Sequence, residues 1–256
     1  MASVARLSIS PVKSLGLVHP ESVYLDTFGV ANNRRFLLLD PQGAMFDVKR
    51  HASLMRLCSS CDREGSRLAI TFPDGSEVSG DVELEGDAFS VDLWGRGADV
   101  RHVAGPWSQA LSEYAGARIR LARTERPGDG NDEYPASIVS NASVEELGRQ
   151  AGADQAPDAG RFRMLLELGG CSPHEEDDWI GRRVRVGETL LRVTEHDARC
   201  AVTTMNPESG EVDFPTLKTI AAYRGAQNGQ LRFGVYADVE EPGAVRVGDT
   251  VQPLDG

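Results

Sequence analysis

Apolar residues recur in this chain as short alternating or continuous runs separated by turn residues. Val4, Leu7 and Ile9 open an apolar strand that ends at Pro11. Arg35-Phe36-Leu37-Leu38-Leu39 reads as a buried strand, stopped by the turn Asp40-Pro41-Gln42-Gly43. Leu68-Ala69-Ile70-Thr71-Phe72 meets Pro73-Asp74-Gly75, a hairpin signal. Residues 82–84 and 89–93 continue the pattern. Further strands are predicted at 162–168, 184–186, 189–193 and 231–236, then around Val245 and Val251. Val186-Gly187-Glu188 and Val247-Gly248-Asp249 supply turns between them. Many short strands at this spacing predict a mostly β fold with barrel-like closure and few helices.

Helical spacing interrupts the strands three times. Pro106 fits a first helical position, and Trp107, Leu111 and Tyr114 share one face at i, i+4 and i+7. Ser143 and Glu146 form a capping box that predicts a second helix from residue 143. Pro215 opens a third, with Leu217, Ile220 and Ala221 inward and Arg224-Gly225 closing it. The polar, glycine-rich stretch 125–133 predicts a loop and a boundary, giving lobes of 1–125 and 126–256. Residues 151–160 read as another loop.

Composition narrows the function classes. The 256 residues carry a formal net charge of -12. An acidic surface argues against general nucleic-acid binding and against docking on anionic lipid. Solubility accounts for the charge. No run of 18 apolar residues occurs, so no membrane span is expected. The start, Met-Ala-Ser-Val-Ala-Arg-Leu-Ser, lacks the basic and apolar regions of a signal peptide, so the expected location is cytoplasmic. Four cysteines are too few for a disulfide scaffold, and reduced thiols are expected.

Candidate chemistry concentrates at Arg199-Cys200-Ala201-Val202-Thr203-Thr204-Met205-Asn206-Pro207. A lone cysteine in a β-rich chain is usually a small buried apolar residue. Here Arg199 would favour a thiolate if its side chain came near, and Ala198 and Ala201 leave room for a large ligand. A thiolate suits a soft transition metal. Cys58-x-x-Cys61 with Cys171-x-x-His174 could instead make a Cys3His zinc site, and a zinc-stapled binding protein stays open on that ground. No HExxH, Walker loop, GxGxxG or GxSxG motif is present.

Arg-Cys-x-x-Thr-Thr-x-Asn-Pro, followed by a helix ending Tyr223-Arg224, resembles the MOSC domain family, and within it the amidoxime-reducing components and their bacterial counterparts. Leu7-Ser8-Ile9-Ser10-Pro11-Val12-Lys13-Ser14 and Asn33-Arg34-Arg35-Phe36-Leu37 resemble the β-barrel domain that precedes MOSC. Arg161-Phe162-Arg163 resembles the strand entering MOSC proper, and Asp178-Trp179-Ile180-Gly181, Phe233-Gly234-Val235-Tyr236 and Val247-Gly248-Asp249 follow in family order.

The resemblance implies a molybdenum cofactor, a molybdopterin with a phosphate tail, whose metal is ligated by Cys200. Lys13, Ser14, Arg35 and Arg163 would contact phosphate and pterin, and Arg199 and Tyr236 would lie near pterin or metal. It implies an oxidoreductase that reduces small N-hydroxylated substrates. Electrons would come from a separate protein of reductase, ferredoxin or cytochrome type, since no four-cysteine ferredoxin run or flavin or haem motif is present. The alternative is a non-catalytic carrier of the cofactor or of sulfur. Three expected hydrogen-bonding positions differ: Leu165 replaces an Asn, Ala198 replaces a Ser, and no Thr-Ser pair lies near Tyr134-Pro135.

Overall fold

A computed structural model describes residues 1–254. Its largest sheet has seven strands, in the order Ser3–Leu7, Leu166–Gly169, Ala136–Ser140, Arg232–Glu241, Thr189–Ala198, Arg183–Val186 and Val251–Pro253. The two edges nearly meet. Val4 N donates to Asp249 O at 2.9 Å, Gly248 N to Val4 O at 2.8 Å, and Val251 N to Ala2 O at 2.9 Å. These bonds bring the sheet close to a closed barrel and cover edges that would otherwise stay unpaired. Alternation explains which side faces in. Val184 and Val186 are buried while Arg183 and Arg185 point out to Glu240 and Glu241. Leu7, Ile138, Leu166, Leu191, Val235 and Ala237 fill the interior.

A second β region packs a four-stranded sheet (Phe36–Leu39, Arg120–Thr124, Arg96–Ala104, Glu83–Leu93) and a three-stranded sheet (Cys58–Cys61, Arg67–Thr71, Glu77–Asp81) around Phe36, Leu54, Leu57, Trp107 and Leu111. The helix α1, Trp107–Ala115, supplies the last two, as its predicted spacing requires. Mostly β architecture and barrel formation are therefore observed. Strand pairing crosses the 125/126 division twice. Ser3–Leu7 lies in the large sheet beside Leu166–Gly169, and Ser22–Asp26 pairs with Gly243–Arg246.

Three local expectations change. The helix α2 runs Asn141–Gln150, and its cap is Ser140, whose side chain accepts from Ser143 N. Ser143 thus sits in the first turn. The reciprocal acceptor is Glu176 rather than Glu146: its Oε1 accepts from Ser140 N at 3.2 Å and from Ser143 Oγ at 2.7 Å. Residues 162–168 do not start as a strand. Asp158 caps a 3-10 turn, Ala159–Phe162, Arg163 is left-handed, and the strand begins at Leu166. The helix α3, Thr216–Tyr223, buries Thr216, Thr219 and Ile220 but leaves Ala221 exposed. Among the described residues no helix is long and apolar enough to cross a membrane.

Candidate functional site

The residues after Pro11 leave the barrel and run beside the start of the strand Phe36–Leu39. Lys13 N donates to Phe36 O, Phe36 N to Pro11 O and Arg34 N to Ser10 O, at 2.8, 3.0 and 2.8 Å. This pairing sets Lys13 next to Arg34. Both line a cavity of about 630 Å³, together with Ser14, Asp132, Arg163 and Cys200. Six non-glycine residues among those described have positive φ, and four of them, Ser14, Arg34, Trp94 and Arg163, line this cavity. Such conformations are unfavourable for residues with a Cβ and gather where a site needs them.

Two cations pair with one carboxylate on this wall, and a third stands close enough to feel its charge. Lys13 Nζ donates to Asp132 Oδ1 and to Gly130 O, both at 2.7 Å, and Arg34 Nη1 lies 2.8 Å from Asp132 Oδ2. Arg163 Nη2 donates to Leu15 O at 2.7 Å, while its Nη1 is buried with no hydrogen-bond partner. Burial pushes Lys13 down to about 8, with Asp132 opposing and Arg34 assisting. Burial, then Arg34, lowers Arg163 to about 10, against the pull of Asp132. Burial would raise Asp132, but Arg34, Lys13 and Arg163 outweigh it and hold the carboxyl well below the usual range. The loop carrying Asp132 needs a glycine at 130, where a Cβ would fall 1.9 Å from Arg34 O.

Another part of the cavity wall grows from the strand Thr189–Ala198, whose register slips at 193–196 and 196–198 before Cys200. Cys200 opens the 3-10 turn Ala201–Thr204, and its carbonyl accepts from Thr203 N at 3.1 Å and Thr203 Oγ1 at 2.9 Å. Thr204 Oγ1 donates to Ala201 O at 2.7 Å, and Thr216 Oγ1 to Thr203 O at 2.6 Å. The Thr-Thr pair therefore locks the turn. The Cys200 residue itself is exposed.

Arg199 is anchored rather than free. Its Nε donates to Phe233 O at 2.7 Å, Nη1 to Phe162 O at 3.2 Å, and Nη1 pairs with Asp197 at 2.9 Å. Asp197 is 4% exposed, and burial pushes it up to about 7 against the pull of Arg199 and a hydrogen bond from Tyr236. Burial and Asp197 together raise the Tyr236 hydroxyl far above its usual value. The Tyr236 ring stacks on Tyr134 at 5.1 Å, and Tyr134 donates to Glu195 Oε1 at 2.6 Å.

Six of the seven residues expected from the sequence therefore line one cavity: Lys13, Ser14, Arg163, Arg199, Cys200 and Tyr236. Arg35 does not. Its guanidinium turns into the second β region, donating to Thr124 O at 2.5 Å and Thr124 Oγ1 at 2.8 Å, and its neighbour Arg34 takes the cavity position. Asp132, Asp197 and Trp94 are cavity residues that the sequence did not single out. The alternative zinc set is not assembled. Cys58 and Cys61 share one short strand, His174 bonds Tyr223 at 3.2 Å, and all four cysteines are free. Among the described residues no group of three or more His, Cys, Asp or Glu side chains is placed to hold a metal ion.

Two known domain families match stretches of this chain. The MOSC N-terminal beta barrel domain matches residues 1–113, and the MOSC domain matches residues 125–252. The chain belongs to the MOSC family. It is 24% identical to mitochondrial amidoxime-reducing component 1 of Mus musculus, over 99% of this chain and 83% of that protein. It is 26% identical to the molybdenum cofactor sulfurase of Oryza sativa subsp. japonica, over 91% of this chain but only 32% of that protein. Among solved structures, the YuaD protein of Bacillus subtilis aligns over 99% of this chain and 96% of its own, at 14% identity and a TM-score of 0.45.

Proposed function

We propose that this MOSC cavity holds a molybdopterin whose molybdenum is ligated by Cys200 Sγ, and that the chain reduces N-hydroxylated compounds. The observation that carries the reading is a buried, unpartnered Arg163 Nη1 beside a carboxylate already paired with Lys13 and Arg34, on the same cavity as an exposed thiol. A guanidinium cannot shed its charge at neutral pH, so the cluster lacks an anion with acceptor oxygens. The phosphate of a pterin cofactor fits that lack, with Lys13, Arg34, Arg163 and Ser14 to hold it. The Cys200 thiolate, on the same cavity, fits molybdenum. The names of the similar proteins, an amidoxime-reducing component and a molybdenum cofactor sulfurase, support the same cofactor class.

When bound, the metallopterin supplies two-electron redox chemistry. The chain's own residues bind and orient. Arg199 ties Phe162, Phe233 and Asp197 together and so fixes the wall beside Cys200. Reduction of R–NHOH to R–NH2 and water consumes two electrons and two protons. The Asp197 carboxyl, titrating near neutrality, and the Tyr236 hydroxyl are proton-bearing groups on the cavity wall. Electrons would come from a separate donor protein, with the cytoplasm the expected setting.

Metal and pterin analysis of the chain produced with ample molybdate is the test. One molybdenum and one pterin per chain are expected, with Cys200→Ala losing metal while keeping pterin. A chain free of both overturns the reading. Metal held through Cys200 without turnover by any reductant would make the protein a carrier instead.

A further inference from the structure

The strands Glu83–Leu93 and Arg96–Ala104 are joined through only two residues, Trp94 and Gly95. Both have positive φ, 56° and 89°. A tight hairpin turn of this kind favours Asn or Gly at its first central position. An indole there is a steric outlier and calls for a reason. Core packing is not that reason. Trp107 and Trp179 are 1% and 2% exposed, whereas Trp94 is 54% exposed and belongs to none of the hydrophobic clusters. Its ring sits on the cavity wall with Lys13 Nζ 4.8 Å from the centroid. The hairpin tip is also pinned: Arg96 Nη2 donates to the carbonyls of Asn131 and Asp132, on the loop that holds Lys13. A strained, pinned, half-exposed indole at the mouth of a cavity is a flat surface held ready for a flat ligand.

We propose that Trp94 is a stacking platform for a planar conjugated substrate ring, and so gives the cavity a preference for aromatic over aliphatic N-hydroxylated compounds. The choice of compound class rests on the function proposed above; the platform rests on the geometry of the turn. Offset stacking adds affinity beyond the area buried.

Binding to the protein as purified tests this without any turnover. Trp94 is the one exposed tryptophan among the three, so an aromatic amidoxime is expected to quench indole fluorescence to saturation, and an aliphatic hydroxamic acid is not. By calorimetry, Trp94→Asn should weaken the aromatic compound about tenfold, equivalent to about 1.4 kcal/mol, and leave the aliphatic one unchanged. Asn suits the turn, so this variant keeps the hairpin. Trp94→Phe should keep most of the affinity. Absent quenching, or equal weakening of both compounds in Trp94→Asn, overturns the platform. Weakened binding of inorganic phosphate in Trp94→Asn, with the aromatic-to-aliphatic ratio unmoved, overturns it too and makes the ring a cover for Lys13. Intact quenching in a protein that reduces nothing leaves the platform standing and removes the reductase reading.

Discussion

Two buried clusters in this chain each keep a polar atom without a partner, yet they ask for different things. In one, Glu176 caps α2 through Ser140 and Ser143 and leaves Oε2 buried and unpaired. In the other, Arg163 leaves Nη1 buried and unpaired beside Lys13, Arg34 and Asp132. Glu176 is 0% exposed, and burial raises its pKa despite the bonds from Ser143 and Ser140. A carboxyl in that position has an exit, since the neutral form is the one that burial favours. Arg163, at about 10, has no such exit at neutral pH and lines an open cavity. Buried charge alone therefore does not mark a binding site. A charge that cannot be shed, on a residue that lines a cavity, is what makes Arg163 a candidate.

The largest expected effect comes from removing that charge. Arg163→Met should lower affinity for a phosphate-bearing ligand by roughly tenfold to a hundredfold, as expected for a charge-assisted hydrogen bond. Titration of the metal-free chain with inorganic phosphate, and the pterin content of the purified variant, check it. Unchanged binding would erase the contrast between the clusters.

A smaller effect follows from Asp132→Asn. The depressed pKa means that this carboxylate stabilises the fold above its unfolded value and that the contribution fades as pH falls toward its folded value. The variant should lose about 1–2 kcal/mol at pH 7, below the figure for a sealed pair because the Asp132 side chain is 40% exposed. The loss should shrink on acidification, and added phosphate should restore stability more in the variant than in the parent. Thermal unfolding with and without phosphate reads both.

The smallest effect belongs to the sealed cluster. A raised carboxyl pKa destabilises the fold progressively as pH climbs from the unfolded value through the folded one. Glu176→Gln keeps the acceptor for Ser140 and Ser143 without the charge. Its melting temperature should match the parent near pH 4.5 and exceed it by a degree or two at pH 8 (a change of order 0.5 kcal/mol). A fall at pH 8 would show that the charged form is needed.

The contrast also explains what the sequence made legible. Short apolar runs and turn residues announced the strands, and the Cys200 segment with Lys13, Ser14, Arg163, Arg199 and Tyr236 pointed to one cavity. Arg34 and Arg35 were harder to separate. Which of two adjacent arginines faces the cavity depends on the left-handed φ of 52° at Arg34, which no side-chain pattern reveals. Asp132 and Trp94 escaped for a related reason. Each acts from a loop or turn whose placement is set by contacts with residues distant in sequence, such as Gly130 on Arg34. A Trp-Gly pair between alternating strands was the available hint. The cap of α2 was misplaced because its second acceptor, Glu176, is 36 residues from Ser140.

The closure of the large barrel has a consequence for synthesis. Ser3–Leu7 is synthesised well ahead of its neighbours Leu166–Gly169 and Asp249, which are made more than 150 residues later. That stave must wait as an unpaired, sticky ribbon until those partners have emerged. A cut between residues 125 and 126 would separate both strand pairs that cross that division, Ser3–Leu7 from Leu166–Gly169 and Ser22–Asp26 from Gly243–Arg246.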